Sequence, residues 1–265
     1  LLGENPHFQW DEVNDWGAAQ WLLPGTGQHY PSCGTYLTFG CLEHDPKYIK
    51  KVKYSCDRAE CPICFKGWLR KAVQGTCKRI EAGKPSPRAQ PIHVTLSPPK
   101  SDHKPLKFKE YYLKTRRKAI KIAKKSGLHG GCLIFHPYRE IRPKKLWYWS
   151  PHFHAMGYGW INSAEIYAKH GWVVKNHRVR KSIGGTIYYQ LSHAGVKRGH
   201  HVITWFGTLS WRMLKKVAST SEAELCPICG ARLRPVIYRG TGDNPFGDPD
   251  QVDLYTSDLG WSYKW

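Results

Sequence analysis

The chain has 265 residues, 41% of them hydrophobic, twelve of them Trp, and a formal net charge of +21 from 41 Lys+Arg against 20 Asp+Glu. That is enough apolar matter for one large or two small folded domains, and no apolar run is long enough to span a membrane. So positive a balance excludes an acidic scaffold and points to nucleic acid as partner.

Three zones follow one another: residues 1–88, 89–215 and 216–265. The first holds six of the nine cysteines. Their odd number and short spacings argue for metal knuckles rather than disulfides, and with no export signal the reading is a thiol-reduced, cytoplasmic protein. "CDRAECPIC" sets out Cys56, Cys61 and Cys64, and the CPxC turn aims two thiolates at one tetrahedral zinc. A fourth ligand should come from "CGTYLTFGCLEH", with Cys41 preferred and Cys33 or His44 close behind. The knuckle runs on into a helix with Phe65, Trp68, Leu69, Ala72, Val73, Thr76 and Ile80 as its apolar stripe.

After the Pro-rich joint "GKPSPRAQP", "PIHVTLSPP" reads as a strand. Residues 100–125 carry eleven Lys/Arg and two acids, and predict an amphipathic helix with Phe108, Tyr111/Tyr112, Ala119 and Ile122 inward. Lys114, Arg116, Arg117 and Lys121 are its expected phosphate contacts. "GGCLIFHPYRE" (130–140) and "KKLWYWSPHFHAMGYGW" (144–160) predict a hairpin, "SIGGTIYYQLSHAGV" a helix and "HHVITWFGTLS" (200–210) a last strand. Strands with intervening helices indicate an α+β fold, an antiparallel central sheet packed by helices and flanked by zinc knuckles. In the third zone "CPICG" offers Cys226 and Cys229 to a second zinc, with His201, His200, His193 or Cys33 to complete it. The tail beyond, residues 241–263, has five Asp and no basic residue, and either folds across a basic face or stays in solvent.

The hairpin carries the most telling pair. In "SPHFHAMGYG", His152 and His154 stand at i and i+2, so a strand turns both imidazoles to one face, where they can chelate a divalent cation. With "HVTLSPP" before it and "IYYQLSHAG" after, the chain over residues 91–210 resembles the HUH endonucleases. It is most similar to the archaeal plasmid and virus branch of rolling-circle replication initiators, which the flanking knuckles also suit.

The resemblance implies site-specific nicking and rejoining of a single-stranded DNA origin through a 5′-phosphotyrosine. A phenol is a weak nucleophile near neutral pH, so such a reaction needs a cation, Mn²⁺ or Mg²⁺, at the scissile phosphate. His136 on the hairpin partner is the expected third ligand and His93 the next choice. Relatives that use a carboxylate there have no counterpart here beyond Glu140, near the turn. The motif aligns Tyr189 as nucleophile, with Tyr188 as alternative, and His193 one turn on stands to orient the hydroxyl or the phosphate where relatives carry Lys; Lys197 comes too late for that role. Because the tyrosine follows the histidine strand, the conjugative relaxases are excluded. No GxxxxGK[ST] is present, so unwinding falls to a helicase of the host or element, and synthesis to its polymerase. An HUH single-strand transposase and a zinc-dependent DNA-binding protein without catalysis are the alternatives.

Overall fold

A computed structural model describes residues 21–141, 146–215, 224–248, 250–257 and 260–264. The first twenty residues of the first zone, residues 142–145, where the sequence predicts the turn of the hairpin, and residues 216–223 ahead of the second knuckle lie outside them. In chain order the elements are β1 (Tyr36–Cys41), β2 (Lys47–Lys53), α1 (Phe65–Ala82), β3 (Ile92–Ser97), α2 (Lys109–Lys125), β4 (Leu128–Ile141) and β5 (Leu146–Gly159). There follow α3 (Ile166–His170), β6 (Val173–Val179), α4 (Ile183–Ser192), β7 (Ile203–Gly207), β8 (Arg234–Tyr238), β9 (Asp253–Thr256) and β10 (Trp261–Tyr263). The fold is α+β, with two antiparallel five-stranded sheets.

These elements form two compact units that do not follow the zones along the chain. The larger takes residues 1–28 and 57–216, the smaller 29–56 and 217–265. Helix α1, expected in a separate N-terminal region, belongs to the larger unit, because its Leu69 and Ile80 share an apolar cluster with Ile187 and Leu191 of α4.

In the larger unit the strand order is β6-β3-β5-β4-β7. Alternation along the strands gives each face its own cover. Val94, Leu96, Leu133, Phe135, Phe153 and Ala155 turn to α2, meeting Tyr112, Ala119 and Ile122. Cys132, Ile134 and Met156 turn to α1 and α4. The inward face of α2 is narrower than its sequence suggests: Tyr112, Ala119 and Ile122 are buried, but Phe108 and Tyr111 are exposed. A pair of 3₁₀ turns precedes α2, which starts only at Lys109, so Phe108 sits before its first turn and off the apolar stripe. Strand β6 was not foreseen, and β7 is shorter than the predicted 200–210.

Strands β4 and β5 approach so closely that glycines face each other, Gly131 opposite Gly157. A Cβ added at Gly157 would lie 1.9 Å from the Gly130 carbonyl oxygen, a backbone atom no side-chain rotation can move. Gly157→Ala is therefore expected to cost about 2–4 kcal/mol in denaturant unfolding; a loss below about 0.5 kcal/mol would contradict this close approach.

The smaller unit has the order β10-β8-β1-β2-β9. At one edge basic β2 pairs with acidic β9, Lys50 opposite Asp253, and Lys51 donates to the Asp248 carbonyl at 2.7 Å. The acidic tail thus folds onto a basic strand. Burial, helped by Asp253, pushes the Tyr48 hydroxyl up to about 12.

Candidate functional site

Register alone brings the histidines together. His136 of β4 lies opposite His152 of β5, and Thr95 of β3 lies opposite His154, so all three imidazoles share the α1/α4 face. One ligand nitrogen from each of His136, His152 and His154 lies within 4.8 Å of the others, near the separation allowed by two metal bonds of about 2.1 Å.

Each ring has its second nitrogen engaged by the protein. His136 Nε2 is 2.7 Å from the Gln190 carbonyl oxygen, His152 Nδ1 is 2.7 Å from that of Ser150, and His154 Nδ1 is 2.8 Å from His93 Nε2. Donation to those carbonyls leaves His136 Nδ1 and His152 Nε2 as lone pairs for a cation, an arrangement metal-binding histidines commonly use. His93 is therefore not in the group of three. It buttresses His154 from behind and stacks on His177 of β6, ring centroids 4.4 Å apart, while His177 Nε2 contacts Thr95 Oγ1 at 2.9 Å.

Burial and the neighbouring imidazoles hold His136 and His154 well below the usual range, and burial first of all takes His93 and His152 down to about 3. All four are thus neutral near pH 7, the state a metal requires. Unfolded, they titrate near 6.5. Between that value and about 3 the unfolded chain binds protons the folded chain does not, so stability is present above pH 6.5 and lost as pH falls toward 3. The slope is up to about 1.4 kcal/mol per pH unit for each imidazole. Denaturant unfolding of the larger unit in metal-free protein should show this decline, and His93→Gln should lessen it. An unchanged slope in that variant would contradict the assignment.

The histidines open into a cavity of about 880 Å³. Tyr189 and His193 of the α4 segment line it and Tyr188 is not among its lining residues, because successive helical positions point about 100° apart. The α4 N-terminus is set by Ser182, whose Oγ accepts from the Gly185 N–H. His193 Nδ1 sits 3.0 Å from the Tyr189 carbonyl oxygen, and its ring stacks on Trp147 at 5.2 Å. Arg139, Lys175 and Arg180 add positive charge, and Glu140 is the one carboxylate among the described lining residues. Sequence reasoning missed His177, Lys175 and Arg180; the alternation in "VVKNHRV" was the available signal for β6. Lys114, Arg117 and Lys121 are exposed, and Arg116 packs over the Tyr112 ring, 5.7 Å from its centroid. Helix α2 covers the sheet face opposite the histidines, so these cations lie away from the cavity.

Two cysteine groups complete the inventory, and their membership corrects the expected sets. Cys41 and His44 do not join the first knuckle: they meet Cys226 and Cys229. Cys41 Sγ lies 3.6 Å from Cys229 Sγ and His44 Nε2 lies 3.1 Å from Cys226 Sγ, close to the roughly 3.8 Å between sulfurs that share a tetrahedral zinc. His44 Nδ1 donates to the Pro46 carbonyl at 2.7 Å, which turns Nε2 to the sulfurs. Burial acts to raise the Cys226 thiol, but the Cys229 and Ile228 N–H groups and His44 together bring it down to about 7. The other group is Cys33, Cys56, Cys61 and Cys64. His201, His200 and His193, considered for the second zinc, belong to neither, since β1 brings Cys41 and His44 beside the CPICG turn instead. Both cysteine groups and the histidine group suit a metal such as zinc. No protein-family model matches the chain, and neither a curated protein nor a solved structure matches it.

Proposed function

We propose that the protein is a rolling-circle replication initiator that nicks and rejoins single-stranded DNA through a tyrosine–phosphate intermediate. The observation that carries this reading is the placement of Tyr189 in one cavity with three neutral imidazoles grouped for a cation. The Tyr189 oxygen attacks the scissile phosphorus, a Tyr–O–P bond forms, the P–O3′ bond breaks, and the freed 3′ oxygen takes up a proton. A bound Mn²⁺ or Mg²⁺ supplies neutralisation of phosphate charge as that exchange proceeds. His193, tethered through Nδ1, keeps Nε2 for the phenol proton or the phosphate. Arg139, Lys175 and Arg180 hold the flanking phosphates. All-imidazole coordination suits Mn²⁺ at least as well as Mg²⁺. Rejoining reverses the step with a 3′-OH as nucleophile, and the chemistry fits an origin or a mobile-element end alike.

The test is incubation with labelled single-stranded DNA and Mn²⁺, followed by mass mapping of any adduct. His152→Ala and His154→Ala should each lower adduct formation by at least about 100-fold, since losing even an outer-shell partner of a metal ligand costs about 10–100-fold, while oligonucleotide binding persists. Wild-type rates in either variant would refute the metal assignment. A protein that binds DNA but never becomes attached to it would be a zinc-dependent binding protein instead.

A further inference from the structure

The larger unit carries a second opening, a groove of about 440 Å³ where residues 196–203 lead into edge strand β7. Arg58, Lys197, Arg198, His200 and His201 line it, with Trp68 of α1 as an apolar wall and Glu60 as the one acid among its described lining residues. Arg58 is 3.9 Å from that carboxylate, and with Lys197 and Arg198 beside it the cations outnumber the acid, so the groove is basic.

The groove is built by the backbone. Leu22 and Val196 exchange two N–H···O bonds of 2.8 Å, and Gly25 and Gly27 donate to the Ala59 and Glu60 carbonyls, also at 2.8 Å. One short segment, 22–27, therefore fixes both walls. Between them the turn Lys197–His200 closes through the His200 N–H at 3.0 Å, with Gly199 at φ +79°, a conformation that glycine adopts without strain.

Its position gives it a role. His193 lines the histidine cavity and Val196 lines the groove, three residues further on, a span of at most about 11 Å. At the other end the His200 ring stands 5.2 Å from Tyr112 of α2, the helix whose outer side carries Lys114, Arg117 and Lys121. The groove thus lies between the histidine cavity on one sheet face and the basic helix on the other.

We propose that this groove binds the backbone of single-stranded DNA and carries the strand from the cavity around the sheet edge toward α2; what occupies the cavity end rests on the nuclease reading. Duplex DNA, with a persistence length of about 150 bp, cannot follow so tight a path, whereas a single strand can.

The test uses the Tyr189→Phe variant without added Mn²⁺ and fluorescence anisotropy with oligo-dT of about 8 and about 20 nucleotides. The longer oligonucleotide should bind more tightly. Arg58→Ala with Arg198→Ala should remove about tenfold of that advantage at low salt, and lower the slope of log Kd on log salt by about 1.4, from two contacts of about 0.7 each. Arg58→Lys with Arg198→Lys keeps both charges and should restore the slope. An undiminished length advantage in the alanine pair would overturn the proposal, as would an equal gain with duplex of the same length. Since only binding is read, a wild type that forms no adduct would refute the nuclease reading and leave this result standing.

Discussion

Tyr189→Phe is expected to abolish the covalent adduct with single-stranded DNA, and Tyr188→Phe to retain it. Both rings are about half exposed, so neither hydroxyl is a buried packing element, and each change should alter stability by less than about 1 kcal/mol. What separates them is direction. Tyr189 faces the cavity that holds His136, His152 and His154, with its ring 4.9 Å from that of His193, whereas Tyr188 is turned away by one helical step. Only an oxygen on the cavity side reaches a phosphate held there. Mass mapping of the adduct peptide in each variant is the measurement. Loss of the adduct in Tyr188→Phe alone would make Tyr188 the nucleophile, and adducts surviving in both variants would end the tyrosine assignment.

The second large effect concerns the smaller unit. Cys226→Ser should lower bound zinc by one equivalent and unfold that unit. Its apolar support is slight: one cluster of Cys41, Tyr48, Cys226 and Leu233 and another of Ile49, Val236, Phe246 and Trp261. Cores of that size supply only about 3–5 kcal/mol, whereas structural zinc contributes about 10–16 kcal/mol in finger peptides. The four residues also come from distant parts of the chain, so an ion held by them would close the unit onto itself. Hydrogen exchange should show residues 36–53 and 234–256 losing protection in the variant. Full protection together with an unchanged zinc content would refute the Cys41–His44–Cys226–Cys229 site.

Local chemistry made several of these features legible in the amino-acid sequence. The i, i+2 spacing of His152 and His154 settles that a strand presents them on one face, and the CPxC turns settle that each knuckle aims two sulfurs together. The apolar stripe of α1 and the helical reading of "SIGGTIYYQLSHAGV" depend on neighbours within a turn. What lay beyond reach depends on partners remote in sequence. Whether Cys41 joins Cys64 or Cys226 depends on where β1 packs, since thiols at similar spacings have no intrinsic preference between knuckles. Whether His93 ligates or buttresses depends on the β3–β5 register, which places it opposite Met156 rather than His154. That the densest basic helix covers the face away from the histidines follows from which side of β3 and β5 is apolar enough to bury α2. Residue order holds the periodicities; pairing of distant strands decides which of them meet.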